Sequence, residues 1–143
     1  MAGGKIMSRS LICQGRAVHR MPMVQPKILV VDDEAKACQL FSRFLSNQGF
    51  AVQTASDGKM ALTKLDEFQP DCILLDVRMP HGGLELLSSC RKKLPDAIII
   101  MVSAIIEPSQ VGDYLAEGAY ACIEKPVDMN ILLEKIEQAL NHH

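Results

Sequence analysis

From Lys27 onward, short apolar runs alternate with longer stretches in which apolar residues recur every three or four positions. Lys27 to Val31 is a brief apolar run that ends in Asp32-Asp33 and reads as a first strand. Glu34 to Gln48 places Ala37, Cys38, Leu40, Phe41, Phe44 and Leu45 on one side at helical spacing, and Gly49 stops it. Phe50 to Ala55 reads as a second strand. Asp57-Gly58 then turns the chain, with Asp57 as the cap of a helix over Lys59 to Phe68 whose apolar positions are Met60, Ala61, Leu62, Leu65 and Phe68.

Pro70 breaks the pattern, and Cys72 to Leu75 is a continuous apolar strand running into Asp76. Met79-Pro80-His81-Gly82-Gly83 is a loop before a third helix, Leu84 to Lys93, carrying Leu84, Leu86, Leu87 and Cys90. Ala97 to Val102 is the most strand-like run in the chain. Pro108 suits the first turn of a helix that ends at Glu117 before Gly118. Ala119 to Ile123 is a fifth strand, Lys125-Pro126 a turn, and Asp128 the cap of a last helix through Leu140.

Five strands alternating with five helices predict an α/β fold, a parallel sheet with right-handed crossovers and helices on both faces. The expected organisation is one domain over residues 27–141. Ahead of it lies a basic N-terminal extension, 1–26, and behind it a two-residue tail, 142–143. The extension is read as a poorly ordered arm, or as sequence upstream of a start at Met21 or Met23. Its apolar cluster, Leu11 to Cys13, is too short for a signal-peptide core.

Charge changes the picture in one respect. The extension holds Lys5, Arg9, Arg16 and Arg20 with no acid, whereas the rest has 11 basic and 17 acidic residues. An acidic body argues against direct nucleic-acid binding by the domain, since phosphate backbones require a basic face. The five cysteines are odd in number, scattered, and form no Cys-x-x-Cys pair, which points to reduced thiols in the cytoplasm rather than to disulfides or zinc. The longest apolar stretch falls far short of the roughly 20 residues of a membrane span, so no membrane association is expected.

Five polar residues follow directly on apolar runs: Asp32 and Asp33 after the first strand, Asp76 after the third, Ser103 after the fourth, Lys125 after the fifth. An acidic pair after one strand is by itself a helix cap. Taken together, the five would meet at the carboxyl edge of a parallel sheet, where ligands of such folds bind. Three carboxylates at close quarters repel, so one takes up a proton or the group binds a cation. With only oxygen donors, a hard ion such as Mg2+ is expected. A carboxylate can act as a nucleophile towards phosphorus, while an ammonium and a hydroxyl can hold the phosphoryl oxygens.

At this point the chain, from Lys27 to about Asn141, strongly resembles the receiver domains of two-component response regulators. The resemblance is carried by Ile28-Leu29-Val30-Val31-Asp32-Asp33-Glu34, Leu74-Leu75-Asp76-Val77-Arg78-Met79-Pro80, Val102-Ser103-Ala104, Gly118-Ala119 and Lys125-Pro126. It implies a flavodoxin-like (βα)5 sandwich with strand order 2-1-3-4-5. It also implies that Asp76 accepts a phosphoryl group from a sensor histidine kinase or phosphotransfer protein. Asp33 would bind Mg2+ directly and Asp32 mainly through water, with Asp76 and the backbone carbonyl of Arg78 completing the protein ligands. Ser103 and Lys125 would hold the phosphoryl oxygens, Ala104 would leave room for them, and Lys125-Pro126 would be cis.

Phosphorylation would then remodel the face formed by the fourth helix, fifth strand and fifth helix, about Pro108 to Leu140, for a downstream protein partner, an effector domain or a second copy in a homodimer. Such a module is no enzyme beyond its own phosphorylation and dephosphorylation. Three departures stand out: a short His81-Gly82-Gly83 loop, Cys122 where the family has an aromatic switch residue, and Ile105-Ile106 where polar residues are usual. Tyr120 is a candidate substitute for that aromatic. The isoleucines read as packing or as a partner surface. His81 reads as a solvated loop residue, and Arg78 either overhangs the phosphoryl group or points outward. The alternative is an atypical receiver that dimerises or scaffolds without phosphorylation. An aspartyl-phosphate phosphatase is disfavoured because Asp32-Asp33-Glu34-Ala35 does not match Asp-x-Asp-x-Thr, and a flavodoxin-like cofactor binder because no Ser/Thr/Gly-rich loop follows the first strand.

Overall fold

A computed structural model describes residues 25–79 and 82–141. The readings of the N-terminal extension, Pro80, His81 and the two-residue tail concern positions outside these residues, apart from Gln25 and Pro26.

The chain order is β1 (Lys27–Val31), α1 (Ala35–Asn47), β2 (Ala51–Ala55), α2 (Gly58–Phe68), β3 (Cys72–Asp76), α3 (Gly83–Lys93), β4 (Ile98–Ser103), α4 (Pro108–Ala116), β5 (Ala121–Glu124) and α5 (Met129–Asn141). All neighbouring strands are parallel and the sheet order is β2-β1-β3-β4-β5. That is the order the resemblance implied.

The apolar runs are continuous because the inner strands are covered on both faces. Alternation along each strand sorts the side chains into two cores. Leu29, Val31, Ile73, Leu75, Ile99 and Met101 pack with Ala61, Leu65, Leu86, Leu87 and Tyr114, so α2, α3 and α4 lie on one face. Ile28, Val30, Leu74, Ile100 and Val102 pack with Phe41, Leu45, Leu132 and Ile136, which puts α1 and α5 on the other.

Boundaries shift by one or two residues from the sequence reading. Asp76 and Ser103 are the last residues of β3 and β4 rather than the first beyond them, and β5 begins at Ala121 rather than Ala119. Asp57 caps α2, its Oδ1 accepting from the Met60 amide at 2.7 Å. Asp128 Oδ1 accepts from the Asn130 and Ile131 amides at 2.9 and 3.3 Å, at the start of α5. Leu40, expected on the buried stripe of α1, is exposed. It lies one residue before Phe41, and that step of a helix turns it off the stripe.

The register brings the polar residues together. Val31 pairs with Leu75, so Asp32 and Asp76 each lie one step beyond the same pair; Asp76 pairs with Val102, and Ser103 with Glu124. Chain order reverses between β1 and β3, where one connection leads out to β2 and the next crosses back, so this carboxyl edge is the switch point of the sheet.

Candidate phosphoacceptor site

Asp32, Asp33 and Asp76 each place a carboxylate oxygen within 4.8 Å of the other two. Asp32 and Asp76 are 2% and 7% exposed, while Asp33 is exposed at the mouth. Their backbones are fixed by the sheet: the Asp32 amide donates to the Ala55 carbonyl at 3.0 Å, and the Val77 amide to Val102 at 3.1 Å. The side chains are oriented locally. Asp32 Oδ1 accepts from the Glu34 amide at 2.9 Å, and Asp76 Oδ1 from the Arg78 amide at 3.1 Å.

Lys125 enters from the end of β5, its amide donating to the Ser103 carbonyl at 2.8 Å, and its peptide bond to Pro126 is cis. Its Nζ donates to Asp32 Oδ2 at 2.8 Å and lies 3.6 Å from Asp76 Oδ2. Burial alone would lower the ammonium pKa. The hydrogen bond to Asp32 and the charges of Asp76, Asp32 and Glu34 outweigh it, so the net direction is upward. The Asp76 carboxyl is also pushed up, first by burial and then by the neighbouring charge of Asp32, against the Arg78 amide and Lys125, which hold it down. Three clustered carboxylates facing one ammonium leave an excess of negative charge. A small hard cation would offset it, and the all-oxygen donor set suits Mg2+.

Four of the residues singled out from the sequence thus converge: Asp32, Asp33, Asp76 and Lys125. Ser103 is fully buried at the end of β4, but its hydroxyl is engaged elsewhere, donating to the Ile105 carbonyl at 3.0 Å and accepting from the Ile105 amide at 3.4 Å. Arg78 contributes its amide to Asp76, and its residue as a whole is exposed, as is Ala104.

The sequence matches the family described as the response regulator receiver domain over residues 28–137. This chain belongs to that family. The receiver is 36% identical over 115 residues to the chemotaxis protein CheY of Listeria monocytogenes, spanning 79% of this chain and 97% of that protein. It superposes on a CheY-like receiver domain protein from Methanospirillum hungatei with a TM-score of 0.80 at 31% identity, covering 83% and 96% of the two chains. A Borrelia burgdorferi CheY, solved in a CheX-CheY-BeF3-Mg2+ complex, gives 0.76 at 29% identity, covering 80% and 89%.

The structure bears on two of the receiver's departures. Tyr120 does not take the place that Cys122 leaves: it precedes β5, is 45% exposed, and donates its amide to the Ile99 carbonyl. The ring buried on that side of the sheet is Tyr114 of α4, 5% exposed in the core against which Cys122 packs. Sequence reading missed it, although its spacing from Val111 marked the inner side of the helix. Ile105 is 58% exposed, so it is not ordinary packing, while Ile106 is half-buried. Glu34 and Cys38 were also given no role at the site. The Glu34 charge reaches Lys125, and the Cys38 thiol donates to the Asp32 carbonyl at 3.2 Å. Glu34's place in the Asp-Asp-Glu run was the available signal for the first. Among the described residues no helix is long and apolar enough to cross a membrane.

Proposed function

We propose that Asp76 accepts a phosphoryl group from the phosphohistidine of a sensor kinase or phosphotransfer protein, and that the α4–β5–α5 surface is reset as a result. The observation that supports this most directly is the placement of a buried carboxylate between a lysine ammonium and two further carboxylates at the switch point of the sheet. In the transfer, an Asp76 carboxylate oxygen forms a bond to phosphorus as the P–N bond breaks, and the imidazole leaves with a proton. The Arg78 amide holds Oδ1 and limits rotation of the carboxylate. Oδ2 faces Lys125, whose ammonium meets the charge on the phosphoryl oxygens without giving up its proton.

Mg2+, held by Asp32, Asp33, Asp76 and the backbone carbonyl of Arg78, would neutralise negative charge on the phosphoryl oxygens when bound. Ser103 links the site to the surface. To donate to a phosphoryl oxygen, its hydroxyl must leave the Ile105 carbonyl, which releases the loop leading into α4. A clean switch requires phosphorylation to favour one arrangement by several kcal/mol, about 5.5 for a full population reversal.

The exposed apolar side chains Ile105, Leu115, Tyr120 and Ile131 favour a second reading, a receiver that associates through this face without phosphorylation. Incubation with acetyl phosphate, or with beryllium fluoride, in the presence of Mg2+ separates the two. The first reading expects an Asp76-dependent mass gain of one phosphoryl group and a spectral change at Ser103 to Leu115, both lost in Asp76→Asn. No mass gain, with a dimer that persists in Asp76→Asn, leaves the second.

A further inference from the structure

The amino edge of the sheet, opposite the acidic cleft, carries a groove of about 430 Å3. Its walls are apolar: Pro70 ahead of β3, Leu94 and Pro95 ahead of β4, and Leu140 near the end of α5. Leu94 and Leu140 are half-buried and pack against different cores, Leu94 on the α2–α3–α4 side and Leu140 on the α1–α5 side. The groove therefore opens where the two layers part at the foot of the sheet. The charged residues that line it, Asp71 and Asp96, are both acidic and both exposed.

The groove is held in shape. On one wall the chain turns at Gln69 in the left-handed region, φ 54°, and the Gln69 side-chain amide donates to the Leu65 carbonyl at 3.0 Å. On the other, Arg91 Nη1 donates to the Pro95 and Ala97 carbonyls, each at 2.7 Å. Between the walls the Ile98 amide donates to the Asp71 carbonyl at 2.9 Å. A groove already formed costs little ordering on binding. With apolar walls and carboxylates beside them, it suits a peptide that sets apolar side chains next to a cation.

Such a sequence stands just upstream in this chain. Arg16-Ala17-Val18-His19-Arg20 is followed by the apolar run Met21-Pro22-Met23-Val24, and residues 1–26 hold no acid. The chain enters the sheet at this same edge. Lys27 and Asp71 are joined twice, the Lys27 amide donating to Asp71 Oδ2 and the Asp71 amide to the Lys27 carbonyl, each at 2.8 Å. β4, on the far side of the groove, lies two strand spacings from β1, about 10 Å. About three extended residues cover that distance, so Val24, Gln25 and Pro26 are enough to bring Met21 and Met23 over the groove.

We propose that residues 20–24 of the chain itself dock in this groove. Met21 and Met23, whose unbranched side chains fill irregular apolar space, lie against Leu94 and Leu140, and Arg20 pairs with Asp96. Tethering raises the effective concentration of the segment to about the millimolar range, so a weak contact suffices. The site is independent of phosphorylation, because the whole length of β3 separates Asp71 from the acidic cleft.

NMR of the full chain labelled at its methionine and leucine methyl groups, without Mg2+ or any phosphodonor, tests it. Cross-peaks are expected between the Met21 and Met23 methyls and those of Leu94 and Leu140, unchanged on dilution. Asp96→Lys, at an exposed position, should lower the ratio of docked to free segment about fivefold, the scale of one exposed ion pair. Arg20→Asp in the same chain should restore it. The Met23 methyl shift in a synthetic peptide of residues 16–24 gives the free reference. Absence of the cross-peaks would overturn the docking, as would a docked fraction that Asp96→Lys leaves unaltered. A double variant that fails to recover would overturn the pairing of Arg20 with Asp96. Cross-peaks that fade on dilution would put a second copy's segment in the groove and overturn docking within one chain.

Discussion

Lys125 is closer to Asp32 than to Asp76: its ammonium lies 2.8 Å from Asp32 Oδ2 and 3.6 Å from Asp76 Oδ2. The first contact is a charge-assisted hydrogen bond, the second a Coulombic attraction without one. In the resting receiver the cation thus compensates the neighbour of the proposed nucleophile more than the nucleophile itself. That leaves burial and the Asp32 charge to push the Asp76 pKa upward.

Removing the ammonium should therefore impair the transfer step more than the fold. Lys125→Met is expected to slow phosphorylation of Asp76 by acetyl phosphate about a hundredfold, the scale on which single groups stabilising transition-state charge act. Lys125→Arg should not restore the rate, because a planar fork does not replace a point charge in a cleft built around one. Time-resolved intact-mass measurement gives the rate. A Lys125→Met variant as fast as wild type would take Lys125 out of the transfer.

The pKa direction at Asp76 makes a stability prediction whose sign can be worked out. A carboxyl with a raised folded-state pKa binds its proton more tightly in the native than in the unfolded chain. Its contribution is then fully favourable below the ordinary carboxylate range and is lost as pH rises through the folded value. Asp76→Asn removes that loss, and its amide can donate to Asp32. In metal-free buffer the variant should be more stable than wild type at neutral pH, on the order of 1 kcal/mol. The difference should shrink as acidification protonates Asp76. Urea melts across pH measure it; a gap independent of pH would contradict the assignment.

Mg2+ should raise the melting temperature by relieving repulsion among the three carboxylates, and EDTA should reverse the gain. Linkage sets its size, about 2.7 kcal/mol at a hundredfold excess over Kd. Asp33→Ala is expected to abolish the increment while barely changing the metal-free melt, since Asp33 is exposed. Asp32→Ala should lower the metal-free melt as well, because it strips Lys125 of its hydrogen bond. Scanning calorimetry with and without the ion separates these outcomes.

The two tyrosines should differ sharply. Tyr114→Ala empties a place in the core and is expected to cost about 3 kcal/mol or more. Tyr120→Ala, at an exposed position, should stay within about 0.5 kcal/mol. Denaturant midpoints are sufficient to compare them. Equal costs would mean that Tyr120, too, is structural.

Much of this molecule was legible along the chain, and particular residues show why. The runs at Ile28 to Val31 and Ile98 to Val102 carry their own signal, because strands buried on both faces must be apolar throughout. Asp32, Asp76 and Lys125 stood out because a charge at the end of such a run has to lie at the sheet's edge. Leu40 was misplaced because periodicity identifies the side of a helix but not the width of its contact. Tyr120 and Tyr114 were told apart only in three dimensions: alternation along β5 allowed one, the depth of α4 against the sheet selected the other.

The sequence by itself determined the element order, the parallel α/β class and the identity of the acidic edge, since each is written in local periodicity and in residue types that follow the strands. Tertiary structure alone decided which carboxylate Lys125 bonds, where the Ser103 hydroxyl is spent, and how the Arg91 guanidinium reaches the carbonyls of Pro95, Ala97 and Gly118. The reason is physical. Local pattern reports how each residue relates to water and to its near neighbours, whereas hydrogen bonds of a few ångströms between remote segments depend on how the packed sheet and helices finally settle.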